Sequence, residues 1–469
     1  MAALHDLTAL EQGDLVRRGE VTPLDLVDHY LERADSVGAF VTSTPDRARA
    51  HARRLHDGGR PEGTGPLWGV PTAIKDLHPT AGVRTTFGSA TYADFVPDES
   101  DDVVLTLEAA GLPSLGKTNT PEFGSPCYTE PDVAPPAVTP WDPRRTAGGS
   151  SGGAAAAVAA GLVPVAPGTD GGGSIRIPAS CCGLVGLKPT RGRISAAPRY
   201  GDPVGLATAG PLARTVRDAA ALLDVMAGRR VSDPSWAPPP LGSFLAACDR
   251  DPGRLRVARF ITPVITDSEL HPTSRAAWLD ASDLLAGLGH EIEDIDVPLP
   301  REAVATFELC WAVLTALAEI PPGREHEIRP LTRWLADRGR AVSGPGFGLA
   351  IGELRRYAAG ALTALAPYDL VLTPTLASLP PFVGELRNDA DPAADFEAQK
   401  RFTPWTSAWN VTGMPAISLP LHWAAQSDGS VLPVGVMLAA RPAEEELLLS
   451  VSAQVEAAAP WADLRPPRW

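Results

Sequence analysis

Two clusters of glycine and serine carry the residue types with which this chain could do chemistry. Residues 148–153 read GGSSGG and residues 168–178 read GTDGGGSIRIP, which sets Ser150, Ser151 and Ser174 in backbone free of bulky neighbours. Glycine permits positive φ and lets another group approach the chain closely. Successive N–H groups in such a loop converge on one point, which suits an anion or a developing oxyanion. Ser174 is the candidate nucleophile. A serine hydroxyl is inert at neutral pH until a base removes its proton. The nine histidines fall in no partner motif, and no GxSxG elbow is present. Lysine serves instead if it is held neutral, which requires its pKa of ~10.4 to fall by about three units, or ~4 kcal/mol. Lys75 closes the apolar run Val70, Pro71, Ala73 and Ile74, a position suited to that burial. Taken singly, a serine in a glycine loop is a turn former and a lysine at a strand end a solvated charge. Only their combination points to catalysis.

A competing pattern is rejected on mechanism. Residues 111–118 (GLPSLGKT) match the phosphate-loop spacing. That motif needs a strand, a loop and then a helix N-terminus facing the phosphate. Here a helix precedes Gly111, the middle reads as a strand, and Asn119, Thr120 and Pro121 follow where the helix should begin.

The elements that must position these residues alternate. Between the two glycine clusters, 154–160 reads as a buried helix and 163–167 as a short strand. Helices are expected after Thr22-Pro23, over 45–56, 101–110, 213–228 and 274–288, and from 443 to about 456. Strands are expected over 67–77, 112–115, 254–260, 290–297 and 368–374, with 416–421 and 431–440 paired across Ser427, Asp428 and Gly429. Residues 300–366 read as several helices. Strands alternating with helices imply an α/β fold, a large mixed β-sheet covered by helices on both faces. With no repeat and no long linker, residues 1–469 read as one domain. Its core is expected over about 60–230 and 368–460, and its variable substrate-facing part over about 300–366.

Composition narrows the function classes. With 44% apolar and 21% charged residues the chain reads as a soluble globular protein. A net charge of −15 and the lack of any basic run argue against a nucleic-acid partner. No apolar run of about 20 residues is present, so no membrane span is expected. Five cysteines without CxxC spacing, and a start (MAALHD) unlike a leader, point to the cytoplasm. Cys181 and Cys182 read as buried packing.

The glycine clusters, together with KD at 75–76, GLVGLKPT at 183–190, GPLAR at 210–214, LTPT at 372–375, GMPAIS at 413–418 and PVG at 433–435, resemble the amidase signature family over nearly the whole chain. Within it, LGKTNTPE at 115–122, TEP at 129–131 and KPTRGRIS at 188–195 are most like hydrolases of the 6-aminohexanoate cyclic dimer type. The resemblance implies a cofactor-independent amide hydrolase with a Ser-Ser-Lys triad and an acyl-enzyme. Ser174 is then the nucleophile, Ser150 the proton relay behind a cis peptide from Gly149, and Lys75 the base and later the acid. The N–H groups of Gly171, Gly172, Gly173 and Ser174 would bind the oxyanion, and backbone at Gly124 would face the substrate. Thr169 and Asp170 would orient the loop, with Ser151 in support and Arg176 as the partner of Asp170. Position 171 departs from the family, which often has a side chain there. The expected substrates are small to medium amides, linear or cyclic aminohexanoate oligomers among them. Esters, carbamates and aryl amides use the same site, and a glutaminase subunit of a tRNA-dependent amidotransferase is the alternative. A homodimer is the expected assembly, activity should rise from neutral to alkaline pH, and Trp141, Phe307, Trp311 and Trp405 are candidates to line the pocket.

Overall fold

Eleven strands lie among the described residues of the computed structural model, which are 3–467 and 469. Met1 and Ala2, where the reading for a leader begins, lie outside the described residues. In chain order the strands are β1 (Phe40–Ser43), β2 (Thr72–Lys75), β3 (Ser114–Thr118), β4 (Val165–Asp170), β5 (Val185–Lys188) and β6 (Thr208–Ala213), then β7 (Arg256–Arg259), β8 (Glu291–Asp294), β9 (Leu370–Pro374), β10 (Ala416–Ala425) and β11 (Val431–Ala440). Eight form one mixed sheet in the order β4-β6-β5-β10-β11-β9-β7-β8. In it β7 runs parallel to β8 and β9, and the other neighbours are antiparallel. The remaining three make a small second sheet, β1-β3-β2, with β2 parallel to β3.

Successive strand residues point to opposite faces, and here both faces are buried. In β9, Leu370 and Leu372 enter a core shared with helices Val216–Met226, Pro272–Gly287 and Glu445–Ala458. Val371, between them, enters a second core with helix Gly344–Leu365 and the fully buried Trp405 and Trp409. The expected α/β sheet covered on both faces is present.

The small sheet delivers the lysine. β2 reaches β4 through Thr72, whose hydroxyl donates to the Val165 carbonyl at 3.0 Å. Lys75 at the end of β2 thereby comes to the end of β4. Helix Gly152–Ala159, built only of glycine, alanine and valine, fits in the narrow space behind them. A Cβ on Gly153 would stand 2.3 Å from the Asn119 nitrogen.

Several boundaries differ from expectation. The strand expected over 67–77 is only Thr72–Lys75, and the one expected over 163–167 is Val165–Asp170, running into the glycine cluster. The strand expected over 112–115 is Ser114–Thr118. Residues Arg176–Cys182 form a helix that was not among the expected elements. Pro178 is its third residue, in the first turn, where a missing N–H costs nothing. β6 precedes helix Val216–Met226 and was hidden by Pro211. That proline lies opposite Pro167 of β4, so neither strand needs the missing donor from the other.

The phosphate-loop pattern folds as a turn into β3. Lys117 is buried there, donating to the His78 carbonyl at 2.6 Å and to Thr85 Oγ1 at 2.8 Å, with Asp76 at 3.3 Å. No helix among the described residues is long and apolar enough to cross a membrane.

Candidate active site

Lys75 is wholly buried, and its amine meets three hydroxyls. Nζ lies 2.8 Å from Ser150 Oγ, 2.9 Å from Ser151 Oγ and 2.8 Å from Thr169 Oγ1. None of these partners carries a charge. Desolvation by burial pushes the lysine well below its ordinary range, against a weaker opposing pull from Asp170. The Gly149–Ser150 peptide is cis. The Ser150 carbonyl accepts from Thr120 Oγ1 at 3.0 Å, and the Ser151 N–H donates to the Ser174 carbonyl at 3.1 Å, so the two glycine clusters are tied together.

The loop between β4 and helix Arg176–Cys182 is folded around Asp170. This carboxylate accepts from Gly173 N at 2.7 Å and Ile175 N at 3.2 Å, and from Arg176 Nε and Nη2 at 2.9 and 2.8 Å. Burial alone would raise its pKa, but the Arg176 guanidinium and these hydrogen bonds hold it at about 2. Gly173 N–H is thus engaged. Among the described residues, the N–H groups of Gly171, Gly172 and Ser174 have no partner, and neither has the Ser174 hydroxyl. No histidine bonds to Ser150, Ser151, Ser174 or Lys75 among the described residues.

A second clamp comes from sequence far away. Thr406 Oγ1 donates to the Gly172 carbonyl at 2.6 Å, and the Thr406 carbonyl accepts from Arg176 Nη1 at 2.8 Å. Asn410 Nδ2 donates to the Asp170 carboxylate at 2.8 Å, while its Oδ1 accepts from Arg176 Nη2 at 2.8 Å. Neither residue was singled out from the sequence. The available signal was polar side chains in an otherwise apolar stretch (TSAWNVTGMP, 406–415) just before a core strand.

Ser174 and Gly172 open on a cavity whose empty space, part of it open to solvent, is about 590 Å³. Its walls come from helix Glu302–Ala316, with Val304, Phe307, Glu308 and Trp311, and from helix Pro392–Phe402, with Phe396, Gln399 and Lys400. Phe307 and Trp311 stack at 5.6 Å. Trp141 and Trp405 lie elsewhere. Trp141 packs on Trp423 and donates to the Cys182 carbonyl, and Trp405 is in the core. Gly124 adjoins the cluster, since a Cβ there would lie 3.3 Å from Ser150 Oγ. Cys181 and Cys182 are buried, and burial pushes the Cys182 thiol up to about 12. The structure thus brings Lys75, Ser150, Ser151, Thr169, Asp170, Gly171, Gly172, Gly173, Ser174 and Arg176 into one neighbourhood.

The family model described as Amidase matches residues 25–449. The chain belongs to the amidase family. It is 36% identical to the 6-aminohexanoate-cyclic-dimer hydrolase of Paenarthrobacter ureafaciens, over 98% of this chain and 96% of that one. A solved structure of 6-aminohexanoate cyclic dimer hydrolase complexed with substrate superposes with a TM-score of 0.89 at 34% identity, covering 99% of each chain. A bacterial aryl acylamidase of the amidase signature enzymes gives a TM-score of 0.85 at 27% identity, covering 98% of each. With relatives of this kind over its whole length, the chain is an amide hydrolase of the amidase signature type.

Proposed function

We propose that the chain hydrolyses small to medium neutral amides, with linear or cyclic aminohexanoate oligomers foremost, through an acyl-enzyme on Ser174. The observation that carries this reading is a wholly buried amine, pushed by that burial well below the ordinary lysine range and held by three hydroxyls beside the Ser174 loop. Ser174 Oγ attacks the substrate carbonyl, and its proton passes through Ser150 to Lys75. The N–H groups of Gly171, Gly172 and Ser174 take the oxyanion, while Asp170 keeps Gly173 for shaping the loop. One such donor is typically worth ~10²–10³ in rate. The C–N bond breaks as the proton returns from Lys75 through Ser150 to the leaving amine. Water then repeats the cycle on the acyl-enzyme and releases Ser174.

The stacked Phe307 and Trp311 support aryl amides as a second substrate group at the same site. Glutamine is disfavoured. The cation lining the cavity, Lys400, is already bonded to two carboxylates and offers no free charge to a substrate carboxylate. A panel of amides, esters and carbamates on purified protein, with mass spectrometry of the intact chain, tests the reading. We expect a transient acyl mass on the wild type and neither turnover nor adduct with Ser174→Ala. Unchanged hydrolysis by Ser174→Ala overturns it.

A further inference from the structure

The N–H groups of Gly171, Gly172, Gly173 and Ser174 belong to four successive trans peptide units. In a trans unit the N–H points opposite to the carbonyl of the preceding residue, so whatever holds the carbonyl also aims the N–H. The first and last units are held by the surrounding fold. The Asp170 carbonyl accepts from Asn410 Nδ2 at 3.0 Å, and the Gly173 carbonyl accepts from the Ile177 N–H at 2.8 Å. The unit joining Gly172 to Gly173 has a glycine Cα at each end, so no Cβ restrains its rotation. It also lies between the units that carry the Gly172 and Ser174 N–H groups. Its orientation therefore sets the angle at which those two donors converge.

This unit is gripped at both ends. The Gly173 N–H donates to Asp170 Oδ1 at 2.7 Å, and the Gly172 carbonyl accepts from Thr406 Oγ1 at 2.6 Å. One bond alone would leave the unit free to swing about its anchor, and two bonds at opposite ends fix its plane. The contacts close a circuit, because the Thr406 carbonyl accepts from Arg176 Nη1 and Arg176 holds Asp170. Thr406 is wholly buried, and its hydroxyl makes no other hydrogen bond among the described residues. Removing that hydroxyl opens the circuit at one point and leaves the Asp170–Arg176 pair in place.

We propose that Thr406 is a positioning residue for the reaction. Its hydroxyl holds the Gly172–Gly173 unit so that the Gly172 and Ser174 N–H groups meet on the oxyanion. This rests on the reading of Ser174 as nucleophile.

The test compares wild type, Thr406→Ser and Thr406→Ala, a pair of variants that differ only in the hydroxyl. With the best amide of the panel, Thr406→Ala should lower kcat by about ten- to a hundredfold with KM within about twofold. That is less than the ~10²–10³ for deleting a donor, because the donor is displaced and not removed. Thr406→Ser should restore kcat to within about threefold of wild type. A trifluoromethyl ketone analogue of the substrate supplies the second readout. Ser174 Oγ bonds its carbonyl carbon, the hydroxyl proton passes through Ser150 to Lys75, and the ketone oxygen becomes an alkoxide among the N–H groups. Its affinity should fall in Thr406→Ala by the same factor as kcat/KM, since both read the oxyanion. The corresponding carbinol fills the cavity without forming an alkoxide, and its affinity should stay unchanged. A merely structural role would weaken ketone and carbinol alike, or reduce the fraction of protein that forms the adduct while each remaining site turns over normally. Either result overturns the proposal, as does a Thr406→Ser variant no better than Thr406→Ala. Should Thr406→Ala not fold, Thr406→Cys keeps the volume with a weak donor, and the same comparison of ketone with carbinol applies. A wild type that forms no ketone adduct sinks the Ser174 reading and this proposal together. A wild type and Thr406→Ala that bind the ketone equally well sink the proposal alone.

Discussion

A neutral Lys75 has two N–H groups and one lone pair, and its three hydroxyl neighbours account for all of them. Ser151 Oγ donates its own hydrogen to the Thr169 carbonyl at 3.2 Å, so it accepts from the amine. In the neutral form the second N–H goes to one of the other two hydroxyls and the lone pair accepts from the remaining one, the role the proposed relay gives to Ser150. An ammonium would instead donate to all three hydroxyls, so it is burial rather than the number of partners that favours the neutral form. Burial lowers the lysine pKa, so the neutral fraction grows as pH rises through a value well below 10.5. We therefore expect kcat/KM to climb along a single limb from acid to alkaline pH. A profile from pH 6 to 10 on folded protein checks it, and a fall between pH 7 and 9 contradicts it. Ser174, Ser150 and Lys75 were legible because each sits in a short motif whose order along the chain is distinctive. Thr406 and Asn410 were not, because what marks them is proximity to a loop more than 200 residues away, and spacing does not report that.

The Ser174 loop is shaped by one glycine that must be glycine and one that need not be. Gly173 has φ +132°, and a Cβ there would stand 2.4 Å from Thr406 Oγ1 and 2.7 Å from Ile177 Cδ1. At Gly171 the nearest atom, Trp311 Cζ3, would be 3.5 Å away, an ordinary contact. Gly173→Ala should cost ~1–3 kcal/mol through backbone strain, lowering Tm by several degrees and activity with it. Gly171→Ala should leave Tm within about 1 °C. Differential scanning calorimetry of the two variants decides between this account and one in which both glycines serve only flexibility. The departure from the family at position 171 is thus sterically neutral. At this scale two proline-containing elements, Arg176–Cys182 and Thr208–Ala213, went unexpected from the sequence. Pro178 is accommodated by a first turn, and Pro211 by a facing proline. Periodicity was reliable wherever an element had a one-sided or fully apolar pattern, as in Val216–Met226 and Val431–Ala440.

Across the whole molecule, three lysines are buried, each within a mainly neutral hydrogen-bonding shell. Burial lowers Lys75 well below its usual range, Lys117 to about 8 and Lys188 to about 7, the last donating only to the Pro189 carbonyl. An unfolded lysine keeps its proton to about 10.4. Between pH 7 and 9 these lysines therefore bind more protons in the unfolded chain, so their share of stability rises with pH, opposed by Glu456 at about 7 and by the buried thiols that burial pushes up. Lys117 and Lys188 together should add on the order of 3 kcal/mol across that window. Urea midpoints of the wild type and of Lys188→Met at pH 7 and 9 measure this: the change from pH 7 to 9 should be less favourable in the variant, and equal changes in the two would refute it. The two-faced coverage of the sheet was readable at this scale, because alternation of elements dictates layers. The assignment of cavity walls was not. Phe307 and Trp311 face the cavity while Trp141 and Trp405 are core, a difference set by how helices outside the sheet dock.

Those docked helices leave an engineer two separable handles. Glu302–Ala316 and Pro392–Phe402 supply about half of the cavity lining, yet neither contributes any atom to the amine–hydroxyl knot. Exchanging them between relatives should therefore retarget which bond is cut while the cutting apparatus stays intact.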